Sequence, residues 1–262
     1  MNFKTLTIIN FTFLSKYFKL IFIELKLNKK TEDLKFDLFY VMKREIIITE
    51  DGSTTIRITD WDENYHSTHG AIQEAKHVFI KNGLDLFKNY KSISILEIGF
   101  GTGLNTFITF LETLKKESVN YVGVEAYPVS AEEIKQMNYV SELQAFQYQD
   151  IFDKMHFSDW ENQQIISKNF FLTKREQFFQ DIEDKERFNL IYFDAFGFRL
   201  QPELWSEIIF KKMYEALLPN GILVTYACRS AIKNAMLNVG FSIEKLPGAP
   251  GKREMLRAVK SI

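Results

Sequence analysis

Three glycines in five residues, Gly99, Gly101 and Gly103, separate an apolar run at 93–98 from a run at 104–116 whose apolar residues share one helical face. Nothing else in this 262-residue chain restricts the fold as much. A strand that enters a helix through so few residues must turn tightly, and glycine readily adopts the left-handed backbone such turns need. The first helical turn then offers unbonded N–H groups to whatever lies over the bend. A glycine cluster marks a ligand site when a strand precedes it and a helix follows, and both conditions are met here.

The same alternation runs on through the chain. Strands are expected at 93–98, 121–125, 170–173, 188–193 and 222–226, with helices at 104–116, 130–149 (in two pieces), 202–217 and 230–239. Two further strands, 241–245 and 254–259, have no helix between them and form a terminal hairpin. Upstream, Asp51-Gly52 joins two β-branched runs, EIIIT and TTIRIT, which is a hairpin signal, and 69–82 has a helical apolar face. The fold class is therefore α/β and Rossmann-like. It has a mostly parallel seven-stranded sheet with helices on both faces, a terminal antiparallel edge hairpin and a small N-terminal hairpin and helix appendage. The division is 1–41, 42–91 for the appendage and 92–262 for the ligand-binding domain.

The residues around the bend bear on the ligand. A dinucleotide brings a pyrophosphate to the helix N-terminus. S-adenosylmethionine has no phosphate; it has an ammonium and a sulfonium, for which a nearby carboxylate is useful. Glu97 stands two residues before the first glycine and is the candidate partner of that ammonium. Gly99, Gly101, Thr102, Gly103 and Asn105 complete the candidate cofactor contacts. Glu125 closes the second strand, 24 residues after Gly101, where a carboxylate accepts from both ribose hydroxyls. Asp194 ends the fourth strand, at the carboxyl edge where open α/β sheets bind ligands. Phe196 and Phe198 follow it, and an acid with aromatic neighbours suits an amine acceptor in a partly dry pocket. An Asp that caps the following loop is the plainer alternative.

Composition excludes several classes. Hydrophobic residues make up 46% and charged residues 26%, as in an ordinary globular chain. The one cysteine, Cys228, allows no internal disulfide and no Cys-rich zinc site, and it fits a reducing cytoplasm. His66, His69, His77 and His156 lie in no metal-binding pattern, so no metal is expected. Net charge is −1, but residues 219–262 hold seven basic residues against two acidic ones. That segment is either a solvated basic tail or a patch for a polyanion. In 1–41 the apolar residues are interrupted by Lys16, Lys19, Glu24 and Lys26, short of the roughly 20 uninterrupted residues a spanning helix needs. We read this segment as a non-native or disordered extension, with Met42 as the natural start and no stable membrane association.

Four stretches, YHSTHGAIQEAKHVFI (65–80), ILEIGFGTGLN (95–105), YFDAFGFRLQPELW (192–205) and PGAPGKREMLRA (247–258), together resemble the methyltransferase domain of the MnmC family, also found alone as MnmD. The resemblance covers roughly 42–262. It implies a class I methyltransferase that uses S-adenosylmethionine to methylate the 5-aminomethyl group of the wobble (2-thio)uridine of tRNA, in the anticodon region. Bifunctional members add a C-terminal flavin-dependent oxidase domain; with Ile262 as the last residue, the expectation is methyl transfer alone, without flavin. Asp194 is then the catalytic residue. Tyr65, Phe196, Phe198, Arg199, Lys252, Arg253 and Arg257 are substrate contacts, with Arg229 a further candidate. Many relatives carry an acid after the third strand near the adenine amine. Here 171–176 reads FLTKRE, which makes Glu176 the candidate. Two other readings stay open: a methyltransferase or aminopropyltransferase for a small amine, and a non-catalytic RNA-binding module. An NAD-dependent oxidoreductase is disfavoured by Glu97 and the glycine spacing.

Overall fold

The computed structural model describes residues 43–261. The expectations for 1–41 and for Met42 lie outside the described residues. Glu45–Ile262 forms one compact unit.

Its frame is an eight-stranded sheet of β4 (Ser92–Ile98), β5 (Ser118–Glu125), β6 (Gln164–Ser167), β7 (Phe170–Glu176), β8 (Phe188–Phe193), β9 (Leu217–Thr225), β10 (Phe241–Pro247) and β11 (Glu254–Lys260). The spatial order is β10-β11-β9-β8-β4-β5-β7-β6. The five central strands are parallel. β10 and β11 pair antiparallel, and β11 joins the sheet antiparallel to β9. The expected architecture therefore stands, with one strand added. β6 pairs antiparallel with β7 at the far edge. Its sequence, QIIS, is too short to show a period and is flanked by polar residues.

Alternate residues of the central strands serve opposite faces, as the pleat requires. Ile95, Tyr121, Leu172, Leu190 and Tyr192 join one apolar cluster, together with Phe107 and Phe110 of α2 (Leu104–Glu112). Leu96, Ile98, Val122, Val124, Ile191 and Phe193 join the other, together with Phe210 and Met213 of α6 (Glu207–Ala216) and Ile232 and Met236 of α7 (Ser230–Asn238). Strands covered on both faces read as near-continuous apolar runs, which is why they were legible.

Several helices are shorter than their patterns. α2 ends at Glu112, and Thr113 Oγ1 donates back to the Thr109 carbonyl at 2.7 Å. Such back-bonding competes with continuation of the helix. The 130–149 region breaks into α3 (Ala131–Ile134), α4 (Tyr139–Glu142) and the start of α5 (Gln149–Phe157). Residues 202–217 divide into a 3₁₀ turn, Pro202–Trp205, and α6. The appendage is a three-stranded sheet, β1 (Arg44–Ile48), β2 (Thr54–Ile58) and the two-residue β3 (Glu63–Asn64), followed by α1 (Ala71–Ala75) and a π-helical stretch, Lys76–Lys81. Among the described residues no helix is long and apolar enough to cross a membrane.

The topology fixes where a ligand can lie. The chain runs from β4 to β5 and β7 on one side, then returns to place β8 and β9 on the other. The order reverses between β4 and β8, and the crevice at such a reversal is the usual ligand site of open α/β sheets. Here the glycine bend after β4 meets Asp194 after β8: the Asp194 N–H donates to the Ile98 carbonyl at 2.9 Å.

Candidate active site

The bend is built by backbone conformation. Gly99, Gly101 and Gly103 have φ of 87°, 49° and 69°, all left-handed. A Cβ at Gly99 would stand 2.5 Å from the Asp194 carbonyl, and one at Gly103 2.6 Å from the His156 ring. The loop is thus pressed between β8 and α5. The N–H groups of Gly99 and Phe100 both donate to the Val124 carbonyl at 3.0 Å, which hangs the loop on β5. Gly103 is buried, Gly99 is partly open, and so is Gly101 in the middle of the turn. The ring of Tyr65 covers it, 3.2 Å from where a Cβ would be.

Glu125 holds the open side. Its Oε2 accepts from the Gly101 N–H and its Oε1 from the Tyr127 N–H, each at 3.0 Å. A carboxylate on the donor that a pyrophosphate would use repels such an anion, but it can exchange partners with hydroxyls. The bend therefore fits a phosphate-free nucleoside better than a dinucleotide. This geometry fits S-adenosylmethionine, with Glu125 and the Gly101 backbone in position to hold its sugar.

Three other expected cofactor contacts have different surroundings. Thr102 is buried, and its hydroxyl accepts from Tyr139 Oη at 2.9 Å and faces His66 Nε2 at 3.5 Å. It ties the loop to the appendage and to α4, and its side chain does not face the crevice. Glu97 is fully buried, and its Oε2 accepts from Thr106 Oγ1 at 2.8 Å and Tyr121 Oη at 2.9 Å. Burial, with the anion Asp194 nearby, pushes its carboxyl up to about 8. Asn105 is buried and donates from Nδ2 to Asp194 Oδ2 at 2.9 Å, so its side chain serves the acid after β8. Glu176 lies beside Glu125 in the β5–β7 register and is exposed, its N–H bonded to Glu161.

Asp194 is half-buried. Loss of water raises its carboxyl to about 7, with Glu74 adding to the rise, and Asn105 and Lys252 opposing it. A carboxyl near neutrality is suited to exchanging a proton. Phe196 packs edge-on against Tyr65 and Trp61, with centroids at 5.0 and 5.9 Å. Its carbonyl accepts from Trp205 Nε1 at 2.8 Å, which fixes this turn.

Next to these residues opens a cleft of about 800 Å³. Phe198, Arg199, Lys252 and Arg253 line it, as do Arg229 and Lys245. Glu63 and Glu254 are the carboxylates in its wall, each paired, with Arg199 at 3.3 Å and with Lys245 at 2.9 Å. Arg229 lies over the Phe198 ring, 5.8 Å from its centroid. Lys252 lies 3.9 Å from the Tyr226 centroid and pairs with the nearly buried Glu74, which also accepts from the Ser67 N–H. Arg257 is not part of this wall. It sits in β11 opposite Glu244 of β10 and pairs with it. Its place follows from strand register, which the basic-tail reading did not resolve. Glu74, Glu63 and Tyr226 were missed. Glu74 sits on α1's apolar face, and only its mismatch with that face could have flagged it.

Of the histidines, His66 and His156 are half-buried and held neutral, lowered to about 4 and about 3 chiefly by loss of water. Among the described residues no group of three His, Cys, Asp or Glu could hold a metal ion.

Residues 136–261 match a family described as S-adenosyl-L-methionine-dependent methyltransferase. A tRNA 5-methylaminomethyl-2-thiouridine biosynthesis bifunctional protein MnmC, from Leptospira borgpetersenii serovar Hardjo-bovis, is 30% identical over 217 residues, which are 75% of this chain and 32% of that protein. The chain is a methyltransferase domain of the MnmC family. It spans about a third of the length of the curated relatives it matches. MnmC of Burkholderia mallei is 27% identical over 82% of this chain and 35% of its own length. Among solved structures, MnmC2 of Aquifex aeolicus superposes with a TM-score of 0.65 at 22% identity, over 84% of this chain and 71% of that one. Spermidine synthase of Thermotoga maritima shares the fold with a TM-score of 0.52 at 12% identity, over 93% and 76%. The family uses S-adenosylmethionine, as the glycine bend and Glu125 implied.

Proposed function

We propose that this MnmC-type domain methylates the aminomethyl nitrogen of 5-aminomethyl-(2-thio)uridine at the tRNA wobble position, giving 5-methylaminomethyl-(2-thio)uridine. One observation carries the choice of acceptor: the cleft beside Asp194 is lined by five cationic side chains, and both carboxylates in its wall are already paired. A polyamine, the acceptor of a spermidine synthase, would meet like charge there. A polyanion carrying an amine would be drawn in. Asp194 itself argues against a module that only binds RNA, because binding phosphates gives no use for a half-buried carboxyl.

S-adenosylmethionine supplies a methyl group made electrophilic by the sulfonium, so transfer to nitrogen calls for neither metal nor flavin. The chain's own task is positioning. Glu125 and the Gly101 backbone hold the nucleoside. Asp194 orients the acceptor nitrogen and bears the charge that develops on it, while Phe196 and Tyr65 wall the site from water. Arg199, Arg229, Lys252 and Arg253 take the phosphates of the anticodon region. We take 42–91 as the appendage and 92–262 as the cofactor-binding part, acting in the cytoplasm where tRNA is processed.

The test is incubation with labelled methyl donor and tRNA from cells lacking this enzyme, followed by nucleoside analysis. Label in 5-methylaminomethyl-(2-thio)uridine is the expected result. Label in a small amine and none in tRNA overturns the proposal.

A further inference from the structure

The loop between β10 and β11, residues 248–253, brings Lys252 and Arg253 to the cleft. Surface loops of this kind are ordinarily mobile. This one is held by a short segment of the appendage, 69–77, in α1 and the start of the π-helical stretch. His77 Nε2 donates to the Pro247 carbonyl at 2.8 Å. Ala249 is buried in the same apolar cluster as Ala71, Ile72 and Ala75. The His69 ring lies so close to Gly251, whose φ is 82°, that a Cβ there would stand 2.1 Å from it. The Glu74 carboxylate pairs with Lys252. Within the loop the Gly248 N–H donates to the Arg253 carbonyl at 3.1 Å, and the Lys252 N–H to the Ala249 carbonyl at 2.8 Å.

We propose that Glu74 and His77 are positioning residues for the acceptor, holding loop 248–253 so that Lys252 and Arg253 stand in the cleft wall before the acceptor arrives. Neither Glu74 nor His77 lines the cleft, so each acts through the loop. Lys252 serves both sides. Its ammonium has three N–H donors, so it can stay on Glu74 and over the Tyr226 ring and still meet a phosphate. An arm ordered in advance loses less freedom on binding, and the affinity gained comes from that saving. That the acceptor is tRNA rests on the proposed function; that 69–77 holds the loop does not.

Charge and positioning give opposite signs for E74Q. The substitution removes a negative charge beside the cationic wall, so electrostatics alone tighten tRNA binding. Glutamine keeps an oxygen for the Ser67 N–H but no charge for Lys252. With the loop released, tRNA KM should instead rise about five- to tenfold, with cofactor affinity by calorimetry held within about twofold. A lowered or unchanged KM overturns the role of Glu74. H77A tests the same hold from outside the cleft and should raise tRNA KM about threefold. H77Q, whose side-chain N–H reaches toward the same carbonyl, should restore it. An unaffected H77A, or H77Q no better than H77A, overturns the role of His77. Hydrogen exchange in the free protein reads the hold without tRNA. The Gly248 and Lys252 amides should exchange about tenfold faster in E74Q and H77A, and unchanged rates overturn the inference. If wild type methylates no tRNA while exchange responds in this way, the acceptor reading fails and the hold on the loop stands.

Discussion

The two ends of the site are made of different material. The cofactor end is backbone: three left-handed glycines, two N–H groups on one carbonyl of β5, and a carboxylate that caps Gly101. It is pinned by the buried Thr102 and Tyr139 and the half-buried His66 and His156, which leave it little freedom. The acceptor end is side chain: paired lysines and arginines around a wide cleft, with aromatic rings on the side toward Asp194. A small ligand of fixed shape suits the first kind of construction. A large, charged partner with a mobile backbone suits the second, where long side chains can trade an internal partner for a phosphate. Asp194 stands where the ends join, tied to the bend at the Gly99 turn and to Asn105, and Tyr65 also spans them, against Gly101 and Phe196.

That contrast is open to attack. The largest effect is expected at the join: Asp194→Asn should lower kcat by about 10²–10⁴-fold, the usual worth of an acid–base group, and leave cofactor affinity intact. Equal losses of both would mean that the two ends are not separable there. At the cofactor end, Gly101→Val puts a branched side chain against Tyr65 at a left-handed φ, and cofactor affinity by calorimetry should fall beyond about 100-fold. At the acceptor end, neutralising Arg229 and Arg253 together should leave cofactor affinity alone. It should reduce the slope of log tRNA affinity against log salt by about 1.4–1.8. Arg257→Ala, outside the cleft, should leave that slope unchanged, and a change would return the patch to an undivided basic tail.

The smallest effect concerns stability. The Asp194 carboxyl sits near 7 in the fold, above its ordinary value of 3.8. Its protonated form is favoured by folding, so the benefit is complete below about 3.8 and is lost as pH rises through 7. Asp194→Asn removes the ionised form and should raise Tm at pH 8 by about 2–4 °C per kcal/mol gained. The gain should shrink through the window from pH 7 to 4. A Tm difference flat across that range would show that Asp194 ionises freely.

The same division explains what the chain declares in its sequence. Gly99, Gly101, Gly103, Glu125 and Asp194 are all at strand ends, and strand ends can be located from apolar runs, so the switch point was readable. The acceptor wall was not. Lys252 meets Glu74 across 178 positions and Arg199 meets Glu63 across 136, and no local pattern encodes such pairs. The basic residues of 219–262 were visible as a group, yet strand pairing sends Arg257 to Glu244 and leaves Lys252 and Arg253 in the loop that faces the cleft. For Glu97 and Asn105 the residue types pointed toward the ligand, and burial, which spacing does not reveal, turns both side chains into the protein.

The distance in sequence between Glu74 and Lys252 also orders events at the ribosome. A chain emerging from its N-terminus presents the glycine bend, Glu125 and Asp194 well before Lys252 exists. Until then Glu74 lacks the lysine it pairs with in the finished fold. On the proposed function, the residues of the glycine bend are therefore translated before the loop between the two final strands, which completes the cationic wall of the cleft.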